Sequence, residues 1–353
     1  MEKQSNASRA GPLHVVWSSG GTQATIGGTG GACALYLAAT EKDENGQTLQ
    51  IASCGGDSGG GTPAALMAMG MPPTQMLHHV VDTDMTQLFK RRGPFRTVRE
   101  MYTRLATTAP WKWLMEGLID TSAYGDLLLS LIGDWPEKFW TIASSKGMPI
   151  LFDSCGTFTF EHAGPSACQK SLKLKLLNAT VAPINVAICA TIAIPGLLSS
   201  VLYDGRQLHD GALTPFGECQ HIVPIIAYGA EPKDIVCFEI GGDRFSEGFL
   251  TLGRLLTGGS KRIEICARLY QRSTVPDDSL VITLPRLKIN SLDFTISDDN
   301  KKLILLSGFR HSCTALNKTG LLSDQNLAEA MANSEQWSDF EQLMKEVEQK
   351  LLK

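Results

Sequence analysis

No stretch of this 353-residue chain approaches the length of a membrane span, no block of lysine and arginine stands out, and none of its nine cysteines forms a C-x-x-C pair. Each absence removes a class of function. A spanning helix needs about 20 apolar residues in succession, so none is expected. The formal net charge of −4 and the lack of a basic helix face leave nothing to attract nucleic acid. The cysteines (33, 54, 155, 168, 189, 219, 237, 266 and 313) are scattered singly and odd in number, which fits buried reduced thiols rather than a zinc site or a disulfide framework. Reduced thiols imply a reducing compartment, and a cytoplasmic location is expected. Residues 1–12 are polar, lack the apolar core of a signal peptide and read as a disordered leader. No pattern of metal ligands or cofactor fingerprint is present, so neither a metal nor a cofactor is expected.

What is present centres on Leu49 to Gly61. An apolar-flanked strand candidate enters a glycine cluster that holds a single serine, and an Ala/Leu/Met-rich helix candidate from Thr62 to Gly70 leaves it. Gly56-Asp57-Ser58-Gly59-Gly60 fits G-x-S-x-G, the nucleophile elbow, in which a strained turn exposes the serine hydroxyl at the start of a helix. The free N–H groups of a helix N-terminus favour developing negative charge there. The same residues read G-D-S-G-G, as in trypsin-like proteases, but that layout needs a histidine and an aspartate well upstream. Only His14 precedes Ser58, and the preceding segment is too short for a β-barrel.

A second glycine-rich loop comes earlier. Leu13 to Trp17 reads as a strand, and Ser18-Ser19-Gly20-Gly21 leads into a small-residue helix through Ala39. Such a loop gathers backbone amides around an anion. A phosphate loop is excluded because no G-K-[ST] follows, and Gly28-x-Gly30 lacks the third glycine of a dinucleotide fingerprint. Gly20 and Gly21 are expected at the anion site, with Gly27, Gly28, Gly30 and Gly31 packing the helix on a sheet. The order strand, loop, helix, strand, elbow, helix predicts a parallel sheet covered by helices, with both loops at strand carboxyl ends.

Residues 72–146 read as a helical insertion. Trp111, Trp113, Trp135 and Trp140 fall there and suit core packing or, alternatively, a cap touching lipid. Gly147 to Cys155 reads as a strand, Asp204-Gly205 as a hairpin turn, and Asp210-Gly211 as the end of the second hairpin strand. Further strands are expected at Asp234 to Ile240 and Leu280 to Leu284, and a helix at Phe249 to Ser273. The tail from Ser323 reads as helical, with Ser334 able to cap and Trp337, Phe340, Leu343, Met344, Val347 and Leu351 forming a docking stripe. The expected organisation is a leader (1–12), a catalytic domain (13–315) with the insertion at 72–146, and a C-terminal helical tail (316–353).

Three segments in this order resemble the patatin-like phospholipase family in its bacterial form. Ser19-Gly20-Gly21-Thr22-Gln23-Ala24-Thr25, followed by Gly30-Gly31-Ala32-Cys33-Ala34-Leu35, is similar to S-G-G-G-x-R-G with its downstream G-x-L. Gly56-Asp57-Ser58-Gly59-Gly60-Gly61 is similar to the G-T-S-x-G-A elbow. Ala190-Thr191-Ile192-Ala193-Ile194-Pro195-Gly196 and Asp210-Gly211-Ala212 are similar to the A-S-x-A-x-P-G block and the D-G-G/A motif. The resemblance implies a three-layer α/β/α fold with a mainly parallel sheet, and a catalytic dyad of Ser58 and Asp210 without a histidine. It also implies an oxyanion hole from Gly20, Gly21 and Thr22, with Gly59. Thr22, Ala24 and Thr25 depart from the family's glycine, arginine and glycine, and Asp57 sets a carboxyl beside the nucleophile.

The chemistry expected is acyl transfer from a phospholipid or lysophospholipid ester to Ser58, with Asp210 as base, then hydrolysis of the acyl-serine. Peripheral membrane contact accompanies such a substrate, and a protein activator is conceivable. Two alternatives share the scaffold: a catalytically weakened lipid-binding or regulatory protein, and an acyltransferase. Within the active-enzyme reading, His311 is the candidate for an ordinary Ser-Asp-His triad, while His209 reads as structural because it alternates to the strand face opposite Asp210.

Overall fold

A computed structural model describes residues 12–42, 45–91, 117, 119–145, 148–154, 156–161, 173–178, 182–195, 197–213, 230–241, 278–289 and 292–352. In chain order, β1 (Leu13–Trp17), α1 (Gly21–Ala39), β2 (Ile51–Asp57), α2 (Gly61–Ala68), α3 (Pro73–Asp82) and α4 (Met85–Leu88) come first. They are followed by β3 (Lys90–Arg91), β4 (Ile119–Asp120), α5 (Ser122–Ile132), β5 (Phe139–Ser145), β6 (Met148–Asp153), β7 (Gly156–Glu161) and β8 (Lys173–Asn178). Then come α6 (Ile184–Thr191), β9 (Val201–Tyr203), β10 (Arg206–Asp210), β11 (Ile235–Ile240), β12 (Leu280–Leu284), α7 (Asp298–Lys318), α8 (Asp324–Asn333) and α9 (Trp337–Leu351). The chain forms two compact units, Met1–Thr83 with Tyr228–Gly241 and Val275–Lys353, and Asp84–Ala227 with Gly242–Thr274.

The first unit is the expected α/β arrangement, a parallel sheet in the order β2-β1-β11-β12 flanked by helices. Val15, Val16, Val236 and Cys237 are wholly buried, as strands covered on both faces require. Helix α1 is buried on nearly every side, and its glycines divide the work. Gly28 and Gly31 press against the Trp17 and Phe238 rings of the sheet, where an added Cβ would come within 2.9 and 2.7 Å. Gly27 and Gly30 do not pack on the sheet as expected. They face α7, where a Cβ on Gly30 would lie 2.2 Å from the Leu305 carbonyl oxygen and one on Gly308 would lie 2.3 Å from that of Gly27. α1 is thus held between the sheet and a second helix, a contact set by residues far apart in the chain.

Helix α7 also contains the apolar run Leu303 to Leu306, of which Ile304 and Leu305 are buried. Its Lys301 is 3% exposed, and the ammonium donates to the carbonyls of Val81 and Thr83 at 2.7 and 2.9 Å and to Asp298 at 3.0 Å. A cation satisfying carbonyls at the end of α3 is favoured by both the orphan acceptors and the helix dipole. Helix α9 buries Phe340, Leu343, Met344 and Val347, and Phe340 meets Phe309 of α7 with ring centroids 4.8 Å apart. Ser334 is not the N-terminal cap of α9. It ends α8, and its hydroxyl accepts from Arg310 Nε at 2.8 Å.

The second unit carries an antiparallel sheet, β5-β6-β7-β8 with β10 on the other side of β5 and β9 beyond it. β9 and β10 form the hairpin read at Asp204-Gly205, whose φ values of +50° and +68° match a two-residue type I′ turn. β5 falls inside the stretch read as helical, and all seven of its residues are buried. A short run of mixed apolar and small residues has no period that separates strand from buried helix. Helix α6 covers one face of this sheet, where Ala187 and Ala190 join Ala143, Ile150, Phe152 and Leu208 in a core cluster. Trp135 packs against that cluster and Trp140 is buried, as core residues. Trp111, Trp113 and the helix read at Phe249 to Ser273 lie outside the described residues.

Among the described residues, no helix is long and apolar enough to cross a membrane. Cys33, Cys54, Cys189, Cys237 and Cys313 are free and buried, and burial pushes the Cys33 and Cys189 thiols up to about 12 and about 11. Thiols held protonated in this way are poor nucleophiles.

Candidate active site

β2 runs out at Asp57 in extended geometry, and Ser58 follows with φ +51°. That left-handed conformation costs a non-glycine residue roughly 1–3 kcal/mol, so the surrounding structure must impose it. Ser58–Gly60 form a single 3₁₀ turn that continues into α2. The turn is closed by close backbone approaches that exclude side chains. A Cβ on Gly56 would lie 2.4 Å from the Gly60 carbonyl oxygen, and one on Gly59 would lie 2.1 Å from that of Gly21. Strand, strained serine and helix therefore follow one another as G-x-S-x-G requires.

The contact between Gly59 and Gly21 joins the elbow to the first loop. Gly20 (φ +159°) and Gly21 (φ +58°) turn the chain from β1 into α1, and no side chain caps that helix. Its first N–H groups, those of Gly21, Thr22 and Gln23, precede the first intrahelical bond, which runs from Ala24 N–H to the Gly20 carbonyl at 3.4 Å. The loop is fixed from the sheet side by Ser18 N–H donating to the Phe238 carbonyl at 2.8 Å. Thr25, one helical turn in, donates its hydroxyl to the Gly59 carbonyl at 2.9 Å. Ser58 itself is 5% exposed, Thr22 5% and Asp57 wholly buried.

Asp210 belongs to the second unit, at the end of β10. It is 2% exposed. Its Oδ1 accepts from the Ala212 N–H at 2.8 Å, and its own N–H donates to the Ala193 carbonyl at 2.9 Å. The second bond ties the strand end to the segment after α6, and Thr191 anchors that helix by donating to the Ile142 carbonyl at 2.6 Å. Ala193 and Asp210, from two different motif segments, are hydrogen-bonded neighbours although distant in sequence.

The patatin-like phospholipase family model matches residues 16–218, more than half of the chain. The chain belongs to the patatin-like phospholipase family. A search of curated proteins finds no match. Among solved structures, VipD from Legionella pneumophila is similar over 92% of this chain and 74% of its own, with 12% sequence identity and a TM-score of 0.45.

Within the patatin-like pattern, the departures in the first loop have physical consequences. Ala24, at the arginine position, is 3% exposed and faces Gly20, so a small side chain fits where the helix starts. Thr25, at the position of the last glycine, supplies the hydroxyl that holds Gly59. In the sequence Thr25 stands only as a departure from the family's last glycine. Its spacing of four residues from Gly21, which lets it also reach the Gly21 carbonyl at 3.3 Å, was the available signal.

The histidines take other roles. His14, the only one before Ser58, shares a 2.8 Å hydrogen bond with Ser53 across β1 and β2. His311 sits exposed on α7, its Nδ1 at 3.1 Å from its own helix's Ser307 carbonyl. It lines a groove against β12, three strands from β2, a separation of roughly 14 Å at the usual strand spacing. No residue of the elbow lines that groove. His209 pairs across the sheet with Ser144 while Asp210 pairs with Ala143, so their side chains lie on opposite faces. Burial lowers the His209 imidazole to about 4, and its Nδ1 has no hydrogen-bond partner. Among the described residues, no cluster of His, Cys, Asp and Glu could hold a metal ion.

Proposed function

We propose that the protein is a lipid acyl hydrolase that cleaves carboxylic esters of phospholipids or lysophospholipids, with Ser58 as nucleophile and Asp210 as general base. The observation that carries this reading is the strained Ser58 turn, held against the Gly20-Gly21 loop through Gly59. Ser58 Oγ attacks the ester carbonyl as its proton passes to the Asp210 carboxylate. Backbone N–H groups of Gly20, Gly21, Thr22 and Gly59 take up the charge on the tetrahedral oxygen. Collapse of that intermediate breaks the ester C–O bond, and Asp210 returns the proton to the leaving alcohol. Water, deprotonated by the same carboxylate, then attacks the acyl-serine, releasing fatty acid and restoring Ser58. Contact with a lipid surface accompanies a substrate of this kind.

The test is fatty-acid release from phosphatidylcholine and lysophosphatidylcholine vesicles, with fluorophosphonate labelling of the same samples. Wild type is expected to turn over and label, and Ser58→Ala to do neither while keeping its melting temperature. A folded wild type that fails to label at Ser58 overturns the hydrolase reading in favour of a lipid-binding protein. Formation of a new ester when lysolipid or alcohol is added, with little free fatty acid, turns it toward acyl transfer.

A further inference from the structure

The parallel sheet of the first unit ends at β12, and among the described residues no strand pairs with its outer edge. The Leu284 carbonyl points inward, accepting from the Gly241 N–H at 2.8 Å. Peptide groups of successive strand residues point to opposite sides, so Leu280 and Ile282 also face β11, while Val281 and Thr283 turn their N–H and C=O outward. Soluble proteins normally guard such an edge with a charge, a proline or a bulge. Leu280-Val281-Ile282-Thr283-Leu284 has none of these, and Thr283 is exposed.

Beside this edge lies a groove of about 510 Å³ whose far wall is α7. Arg310, Thr314 and Lys318 recur there at i, i+4 and i+8, with His311 beside them. Arg310 is fixed in place by Ser334, and Lys318 and His311 are exposed. The His311 Nδ1 is occupied by the Ser307 carbonyl, which leaves Nε2 to meet a ligand. No acidic side chain is among the lining residues. Among the described residues, the groove thus sets outward backbone donors and acceptors of β12 on one wall against the positive charge of Arg310 and Lys318 on the other.

We propose that β12 and the Arg310–Lys318 stripe of α7 form a docking groove for an extended, acidic peptide segment of a partner protein, which adds to the sheet as a further strand. Backbone pairing with Val281 and Thr283 supplies the attachment, and alternate side chains of the added strand fall on the α7 side. Carboxylates of the added strand then meet Lys318 and Arg310. This site is separate from the Ser58 chemistry and does not depend on it.

The experiment titrates the full chain with two fluorescent octapeptides, one alternating Glu and Val and its twin alternating Lys and Val. The Glu peptide is expected to bind saturably and about tenfold tighter than the Lys peptide, as a pair of partly exposed charge contacts allows. Thr283→Pro removes one outward N–H at an edge position where proline is tolerated, and is expected to abolish binding with the melting temperature kept. His311→Glu with Lys318→Glu is expected to reverse the preference, a result that general unfolding cannot mimic. Equal binding of the two peptides, or no saturable binding of the Glu peptide, overturns the proposal. So does concentration-dependent dimerisation that Thr283→Pro removes, because the edge would then pair with a second copy of the chain.

Discussion

The Thr25 hydroxyl donates to the Gly59 carbonyl at 2.9 Å, so the first turn of α1 holds the Gly59–Gly60 peptide, one peptide beyond the one that follows Ser58. Gly59 reaches that position only because it has no Cβ, which would collide with the Gly21 carbonyl. The departure from the family's glycine at position 25 thereby becomes a brace between the two loops on which the proposed oxyanion hole depends.

Thr25→Val keeps the shape of the side chain and removes the hydroxyl, leaving the buried Gly59 carbonyl without that donor. The lost bond is expected to cost about 1–2 kcal/mol, felt in the melting temperature. If the brace also orients the oxyanion donors, esterase turnover falls by roughly tenfold with KM little changed, and Thr25→Ser restores both. Comparing kcat and KM across Thr, Val and Ser separates orientation from simple stability. Unchanged turnover in the valine variant would reduce Thr25 to a structural hydroxyl.

Gly308→Ala addresses the helix contact that sequence alone did not reveal. The new methyl would lie 2.3 Å from the Gly27 carbonyl oxygen, backbone that cannot step aside without moving α1 from α7. Overpacking of this kind is expected to destabilise by about 1–3 kcal/mol, read as a lower urea midpoint. Fluorophosphonate labelling per folded molecule should be kept well below the melting temperature, since Gly308 touches neither loop.

What the sequence disclosed was local. The tight strand-to-helix turn at Ser58 was legible because a glycine cluster between an apolar strand and a small-residue helix leaves few other conformations, and Asp204-Gly205 specifies its own turn. β5 was not legible, since Phe139 to Ser145 is buried on both faces and so carries no alternation. Ser334 resembled a helix cap, but Arg310, 24 residues earlier, claims its hydroxyl. The close approach of Gly30 to Leu305 and of Gly27 to Gly308 was hidden for the same reason: glycine spacing announces a tight contact and says nothing of the partner. The motifs pointed to Ser58 in the first unit and Asp210 in the second as candidates, whereas the bonds from Thr25 to Gly59 and from Asp210 to Ala193 come from tertiary packing.

His209 sets a pH dependence whose sign follows from its burial. Its folded-state value of about 4 lies below the ordinary 6.5, so below pH 6.5 the unfolded chain binds a proton that the native protein refuses. Stability is therefore full above pH 6.5 and falls as the pH drops toward 4, by up to about 3 kcal/mol from this group. His14 and His79 are shifted in the same direction by burial, and they add to the slope. His209→Gln removes the proton site. The gap between the urea midpoints of wild type and variant should change steadily between pH 7 and pH 4.5, with the wild type losing more. Parallel curves would mean that His209 reaches water or a partner that keeps its pKa ordinary.

Asp210 invites two readings that one pair of substitutions can separate. As a turn former, it needs only an oxygen to accept the Ala212 N–H at 2.8 Å, and an asparagine supplies that equally well. As a general base it needs a carboxylate, which asparagine lacks. Asp210→Asn is therefore expected to leave the melting temperature nearly unchanged while lowering esterase turnover by a factor of roughly 10²–10⁴, the usual contribution of acid–base catalysis. Asp210→Ala loses the turn bond as well, and should destabilise by about 1–3 kcal/mol in addition to losing activity. Measured together with Ser58→Ala, the asparagine variant is decisive, because residues acting as one unit lose activity non-additively. If Asp210→Asn retains turnover with an intact fold, the aspartate is only a turn former, and the base must be sought elsewhere.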